Sequence, residues 1–174
     1  MTVKVSIVES KLDLSKVERL EVGSGEAPRD GYTHLDIRGG LPHLDLIADF
    51  GELPFENNQL MEIFCSQVIE HIPRWRRLDV LREWYRVLRP GGVLRGNCPN
   101  LDGWLEHYVR NKHNGLNYTE FIDRVYGGQE DAFNVHYTGF TPESLKEELY
   151  KAEFTQVNIL PNTCWTDIHF AAVK

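Results

Sequence analysis

The sequence predicts an α/β domain with a mostly parallel sheet. Three observations lead there. Short apolar runs bounded by turn residues alternate with longer stretches of helical periodicity. A length of 174 residues fits one domain around one core. The composition, 41% hydrophobic and 26% charged, is that of an ordinary globular chain.

In chain order, Lys4–Val8 reads as an extra edge strand, followed by strands at Arg19–Val22, Thr33–Ile37, Asp45–Asp49, Met61–Ser66 and Val93–Pro99. Phe154–Leu160 and Asp167–Val173 read as a closing pair. Leu78, Leu81, Tyr85 and Leu88 recur at spacings of three and four, which puts them on one face of a helix over Pro73–Arg89. Pro90-Gly91-Gly92 is expected to stop that helix and turn the chain into Val93. A second helix starts at Thr141-Pro142-Glu143, where a capping hydroxyl, a ring suited to the first helical position and a carboxylate follow one another. Leu145 and Leu149 supply its inner face. Between the helices, Asp102–Asn134 is polar and aromatic, and longer than a normal connection. Such an insertion, placed after a strand's carboxyl end, is expected to be a substrate lid on a single domain spanning 1–174.

Charge and cysteines narrow the function. A net charge of −7 disfavours nucleic acid as a partner, because phosphate binding needs clustered cations. No apolar run approaches the roughly 18 residues of a membrane span. The first ten residues lack the apolar block and cleavage site of a signal peptide, and the cysteine set makes a reducing cytoplasm the expected compartment. Cys65, Cys98 and Cys164 are an odd, widely spaced set, which fits inert buried thiols in a reducing compartment. It fits neither a disulfide framework nor a cysteine zinc site, and no metal site is expected.

Leu20-Glu21-Val22-Gly23-Ser24-Gly25 is an apolar strand running into a glycine pair, a pattern shared by ligand loops and by any tight turn. Two later strands add meaning. Thr33-His34-Leu35-Asp36 ends in an acid of the kind that accepts from ribose hydroxyls in dinucleotide folds. Leu46-Ile47-Ala48-Asp49-Phe50 repeats the arrangement, with Asp49 placed to accept from an adenine amine and the Phe50 amide to donate to a ring nitrogen. Each acid also reads as a solvated strand-end residue.

Glu21–Gly25, Asp36, "DFGELPFENNQLMEIFCSQVIEHI" and "LREWYRVLRPGGVLRGNCPN" together resemble class I S-adenosylmethionine-dependent methyltransferases over residues 18–160. More closely, they are similar to predicted small methyltransferases with an "LPF…EHI…RVLxPGG" pattern. The resemblance implies a Rossmann-like, mostly parallel seven-stranded sheet whose last strand is antiparallel. It implies S-adenosylmethionine as cofactor and S-adenosylhomocysteine as product, bound over the carboxyl ends of the first strands. Glu21 through Gly25 would then form the cofactor loop, with Gly23, Ser24 and Gly25 beneath the methionine part. Asp36 would hold the ribose, Ile37 pack on the adenine, and Asp49 and Phe50 read its edge. Ser66 and Gln67 would lie near the sulfonium, with His71 close behind.

The chain departs from that pattern in two places. Only ten residues separate Gly25 from Asp36, and "EAPRDGY" opposes a helix there, so the first helix is expected to be reduced or missing. The same short link argues against a nicotinamide oxidoreductase, whose fingerprint and acid lie about 20 residues apart. Gln67 stands where relatives often carry histidine. The candidate bases are His71, His136 and Tyr137, with Glu70 as an orienter; an ordinary loop histidine is the alternative for the first two. Trp104 is expected to line an acceptor pocket, while Trp75 and Trp84 pack. The run Arg74-Trp75-Arg76-Arg77, continued by Arg82, Arg86 and Arg89, reads as a solvated helix face or as a contact for an acidic substrate. The leading functional expectation is methyl transfer to a small-molecule acceptor such as a sugar or cell-surface precursor. A cofactor-binding protein without turnover is the alternative.

Overall fold

A computed structural model describes residues 6–8, 12–115, 117–160 and 165–174. Eight strands form one sheet: β1 (Ser6–Ile7), β2 (Arg19–Val22), β3 (Thr33–Asp36), β4 (Leu46–Ile47), β5 (Leu60–Ser66), β6 (Leu88–Pro99), β7 (Thr155–Ile159) and β8 (Asp167–Val173). Their spatial order is β1-β4-β3-β2-β5-β6-β8-β7. The strands from β4 through β6 run parallel, and the last strand, β8, is antiparallel to both β6 and β7. The seven-stranded expectation therefore holds, with β1 as an eighth, antiparallel edge strand on β4. It occupies part of the expected Lys4–Val8 run, whose first two residues lie outside the described residues.

Leu20, Val22, Ile63 and Cys65 of the two central strands have no exposed surface; in β2, Leu20 and Val22 alternate with Arg19 and Glu21. Burial of each large aliphatic side chain there contributes about 1.5–3 kcal/mol. Among the described residues, four α-helices cover or extend the sheet: α1 (Arg77–Val87), α2 (Leu101–Asn111), α3 (Tyr118–Tyr126) and α4 (Pro142–Lys151). Thr141 and Ser144 cap α4 reciprocally, each side-chain oxygen accepting the other's amide, and Leu145 and Leu149 are fully buried beneath it.

Helix α1 differs from its sequence pattern at both ends. Pro73–Arg76 forms a turn before the helix, and the helix ends at Val87 because Leu88 already pairs with Leu60 in the sheet. Pro90-Gly91-Gly92 thus lies inside β6 and does not stop the helix. Gly92 is needed there, since a Cβ would sit 2.8 Å from the Arg89 carbonyl oxygen. The buried face is Val80, Leu81, Trp84 and Val87, with Leu78 and Tyr85 at its margin.

The expected basic stripe divides: Arg74, Arg82 and Arg89 are exposed, as a solvated face requires, while Arg76, Arg77 and Arg86 are tied into the fold. Arg77 is 5% exposed and pairs with Glu148 and Thr138, while Arg86 donates to Glu83 and to the Leu53 and Phe55 carbonyls. The tryptophan expectations also change. Trp75 is 77% exposed, and Trp104 is buried, donating to the Thr166 carbonyl and packing edge-on against Trp165. Trp84 packs as expected and donates to the Phe50 carbonyl. No helix among the described residues is long and apolar enough to cross a membrane.

Candidate active site

The chain winds from β2 through β3 to β4 on one side, then returns through β5 to build the other side. Open α/β sheets bind ligands outside the carboxyl ends of their strands at that reversal. Here the reversal opens a cleft of about 370 Å³, bordered by Gly23, Asp36, Ile37, Phe50, Gln67 and His71 of the expected site. Leu35, Arg38 and Val68 complete the sheet side, and the insertion contributes Glu130, Asp131, Phe133 and Asn134.

Gly23 sets the floor. Its φ is +67°, its amide donates to the Leu35 carbonyl at 2.7 Å, and a Cβ would lie 2.5 Å from Val68 Cγ2. A side chain would be both strained and blocked. Among residues 23–32 there is no helix, so the loop has no helix terminus to anchor it. The Asp36 carboxylate closes it instead, accepting from the Gly25 amide at 3.1 Å and the Arg38 amide at 2.9 Å. The Arg38 guanidinium also donates to both Asp36 oxygens at 3.3 Å.

The other expected cofactor residues do not border the cleft. Glu21 is buried and accepts from the Arg29 amide at 2.8 Å, with His34 Nδ1 2.9 Å away. Ser24 is buried beside His43, and the Gly25 amide is bound to Asp36. Asp49 accepts from the Gly51 amide and from the two arms of the Arg76 guanidinium at 2.9 and 3.1 Å. Ser66 donates to Asn97 Oδ1 at 3.2 Å.

A second cleft of about 390 Å³ opens on the insertion side, bordered by Asn117, Glu120, Asp123, Arg124 and His136. The two clefts share Gln67, His71, Glu130 and Asn134. Gln67 stands at this seam with φ +53°, a conformation that costs a non-glycine residue of order 1 kcal/mol or more. Its amide nitrogen donates to Asn97 Oδ1 at 2.8 Å and Asp167 Oδ1 at 2.9 Å, which holds the side chain against β6 and β8.

His71 and His136 meet edge-on, with ring centroids 4.7 Å apart. Burial, and then the neighbouring His136 ring, push His71 down to about 4, so it is neutral near pH 7. Burial also lowers His136. Glu70 is 1% exposed, and neither of its carboxyl oxygens has a hydrogen-bond partner. Burial pushes it up to about 8. Glu70 therefore does not orient His71; the Val135 carbonyl does, 3.1 Å from Nδ1. Tyr137 is half-exposed against Trp75 and borders neither cleft, while its amide donates to the Glu70 carbonyl. Cys65 and Cys98 are free and buried, and burial pushes both thiols up, as inert cysteines require. Cys164 lies outside the described residues.

Sequence reasoning missed Arg38 and the insertion acids Glu130 and Asp131, and it singled out Arg76 without its partner Asp49. Arg38 carried a signal, since it follows the strand-end Asp36 by two positions and can return its side chain to it. The insertion acids and the Arg76–Asp49 pairing carried none, because only the fold brings them to the strand ends.

Residues 20–95 match the family of methyltransferase domains. A probable S-adenosylmethionine-dependent methyltransferase of Mycolicibacterium smegmatis is 35% identical over 72 residues, covering 41% of this chain and 27% of the relative. A demethylmenaquinone methyltransferase of Listeria monocytogenes is 34% identical over 97 residues, covering 53% of this chain and 36% of the relative. The chain thus spans about a third or less of the curated relatives it matches. Among solved structures, a methyltransferase from Archaeoglobus fulgidus superposes with a TM-score of 0.62 at 15% identity, covering 92% of this chain and 88% of that one. Phosphoethanolamine N-methyltransferase 2 of Haemonchus contortus, solved with S-adenosylmethionine, gives 0.61 at 14% identity over 94% of this chain and 50% of that one. Residues 20–95 thus match a methyltransferase domain, and the fold is similar to that of solved S-adenosylmethionine-dependent methyltransferases.

Proposed function

We propose that this chain binds S-adenosylmethionine in the cleft at the β2/β5 reversal and methylates a small molecule held in the adjoining cleft. The observation that carries the reading is the seam: two clefts of ligand size meet at Gln67 and His71, beside the glycine loop. The sulfonium supplies an already activated methyl group. The residues present fit it. Gly23 leaves a cradle that a Cβ would fill, and Asp36 keeps lone pairs for the ribose hydroxyls once Arg38 swings aside. Ile37 and Phe50 offer apolar walls for the adenine, while Ser24, Gly25, Glu21 and Asp49 act from behind by holding the loop and the β4 end. Ser66 and Gln67 fix Asn97 at the seam. The insertion, which borders both clefts, acts as the lid of a single domain.

Direct displacement asks the protein mainly for alignment, which supplies a large share of the acceleration. Neutral His71 or His136 takes a proton from the acceptor if it must lose one. Sugars and cell-surface precursors are one acceptor class; the demethylmenaquinone enzymes among the relatives add quinone-type rings to the set to be tested. One observation favours binding without turnover: both Gln67 amide bonds are committed to Asn97 and Asp167 and so are not offered to an acceptor.

Calorimetry with S-adenosylhomocysteine, followed by transfer of labelled methyl to a panel of sugars, amines and quinols, tests the proposal. Saturable binding and labelling of one acceptor class are expected. Absence of binding removes the reading, and binding without labelling across the panel supports the non-catalytic alternative.

A further inference from the structure

We infer that Glu70, His71 and His136 form a site for one divalent transition-metal ion of the zinc class, open toward the second cleft. One ligand atom from each of the three lies within 4.8 Å of the others. The rings are already oriented for the task. Nδ1 of His71 lies 3.1 Å from the Val135 carbonyl, and Nδ1 of His136 lies 3.0 Å from the Arg124 carbonyl. Each Nδ1 therefore carries the proton, which leaves the Nε2 lone pair free. A backbone carbonyl behind each imidazole is the outer-shell arrangement of metal-binding histidines.

Glu70 supplies the second, independent observation. Its carboxyl group is almost fully buried and both oxygens lack partners. Leaving such a group unsatisfied costs of order 1–3 kcal/mol or more, and a cation between it and two neutral rings removes that cost. Two imidazole nitrogens and one carboxylate suit zinc or a neighbouring transition metal, whereas magnesium and calcium favour all-oxygen sets. In tetrahedral coordination with bonds of 2.0–2.1 Å, ligand atoms stand about 3.3 Å apart, so the group must contract. His136 lies in the link between α3 and α4, and the hydrogen bonds from the His136 and Tyr137 amides to the Tyr126 and Glu70 carbonyls hold its ring beside Glu70 and His71. The sequence conceals the site, because the nearest ligands are adjacent and the third is distant, unlike the short histidine or cysteine pairs that announce zinc.

Three protein ligands leave a fourth position free, and His71 and His136 both border the second cleft. Metal binding stands apart from the methyl-transfer reading; only the use of that position rests on it. An acceptor hydroxyl or thiol bound there would release its proton to solvent. Its lone pair then forms the bond to the methyl carbon, while the electron pair of the broken carbon–sulfur bond stays on sulfur.

The test uses the untagged full-length chain, stripped with a chelator and titrated with Co²⁺, with Zn²⁺ as competitor. One equivalent is expected to give visible d–d absorption that Zn²⁺ abolishes. Affinity should fall at least tenfold in His136→Ala and in Glu70→Gln, with folding checked by circular dichroism. If Glu70→Gln does not fold, His136→Ala decides. No one-to-one signal in the unsubstituted chain, or equal binding by His136→Ala, overturns the site and points to exposed histidines such as His113. S-adenosylhomocysteine binding is measured on the same samples. Intact cofactor binding without a cobalt signal removes the metal site alone, and the reverse result removes the cofactor reading alone.

Discussion

Asp36 and Glu70 are both buried, at 4% and 1% exposure, yet Asp36 receives N–H donors from Gly25 and Arg38 while Glu70 receives none on either oxygen. Asp49 resembles Asp36, with Arg76 and the Gly51 amide on its carboxylate. Near the strand ends of the glycine-loop side, the fold surrounds its carboxylates with N–H donors that fix their orientation. On the insertion side it holds a carboxyl and two imidazoles in neutral form. Under the two proposals, the first region accepts hydrogen bonds from a ligand and the second exchanges protons or holds a cation.

The comparison breaks most readily at Asp36. Asp36→Ala removes the proposed ribose acceptor and the closure of the loop, and a charge-assisted pair of bonds is worth about 3 kcal/mol. Affinity for S-adenosylhomocysteine should fall about 100-fold by calorimetry; a change within twofold would remove Asp36 from the cofactor site. Gly23→Ala is next. The positive φ and the Val68 contact should cost about 1–3 kcal/mol in a urea titration. An unchanged midpoint would show that the loop relaxes freely.

The two kinds of carboxyl also differ in the sign of their pH dependence. In the metal-free chain, Glu70 is raised from 4.5 to about 8 by burial. Its contribution is unpenalised below pH 4.5, and stability is lost as pH rises toward 8, because the unfolded chain ionises first. Glu83 goes the other way. Burial alone would raise it, but the Arg86 guanidinium and the Leu53 amide outweigh burial and lower it. Its stabilisation is present above pH 4.5 and fades as pH falls. The stability difference between the unsubstituted chain and Glu70→Gln should therefore grow between pH 5 and 8, and that for Glu83→Gln should shrink below 4.5. Parallel profiles would contradict the contrast. The smallest effect is expected at Trp75, whose exposed ring meets Tyr137 edge-on. Trp75→Ala should stay within about 0.5 kcal/mol in thermal unfolding.

The half of the site that rests on local patterning was legible in the sequence. β2 and β3 were readable because apolar runs end in turn residues and acids, and Gly23 and Asp36 follow directly from them. The missing first helix was readable from Pro28 and Gly31 in a short link. The arginines misled, because their internal partners Asp49, Thr138 and Glu148 come from distant segments. Periodicity also placed the end of α1 two residues late, since it cannot see that Leu88 pairs with Leu60. Glu70 next to His71 was visible as a pair, but its lack of partners and the approach of His136 depend on the insertion folding back.

A crystal structure with S-adenosylhomocysteine tests the assignment of the two regions most directly. The expected result places the adenine between Ile37 and Phe50, the ribose on Asp36 with Arg38 displaced, and the sulfur facing Gln67 and His71. A ligand seated elsewhere, or bound with the Arg38–Asp36 pair intact and no contact to Asp36, would contradict it.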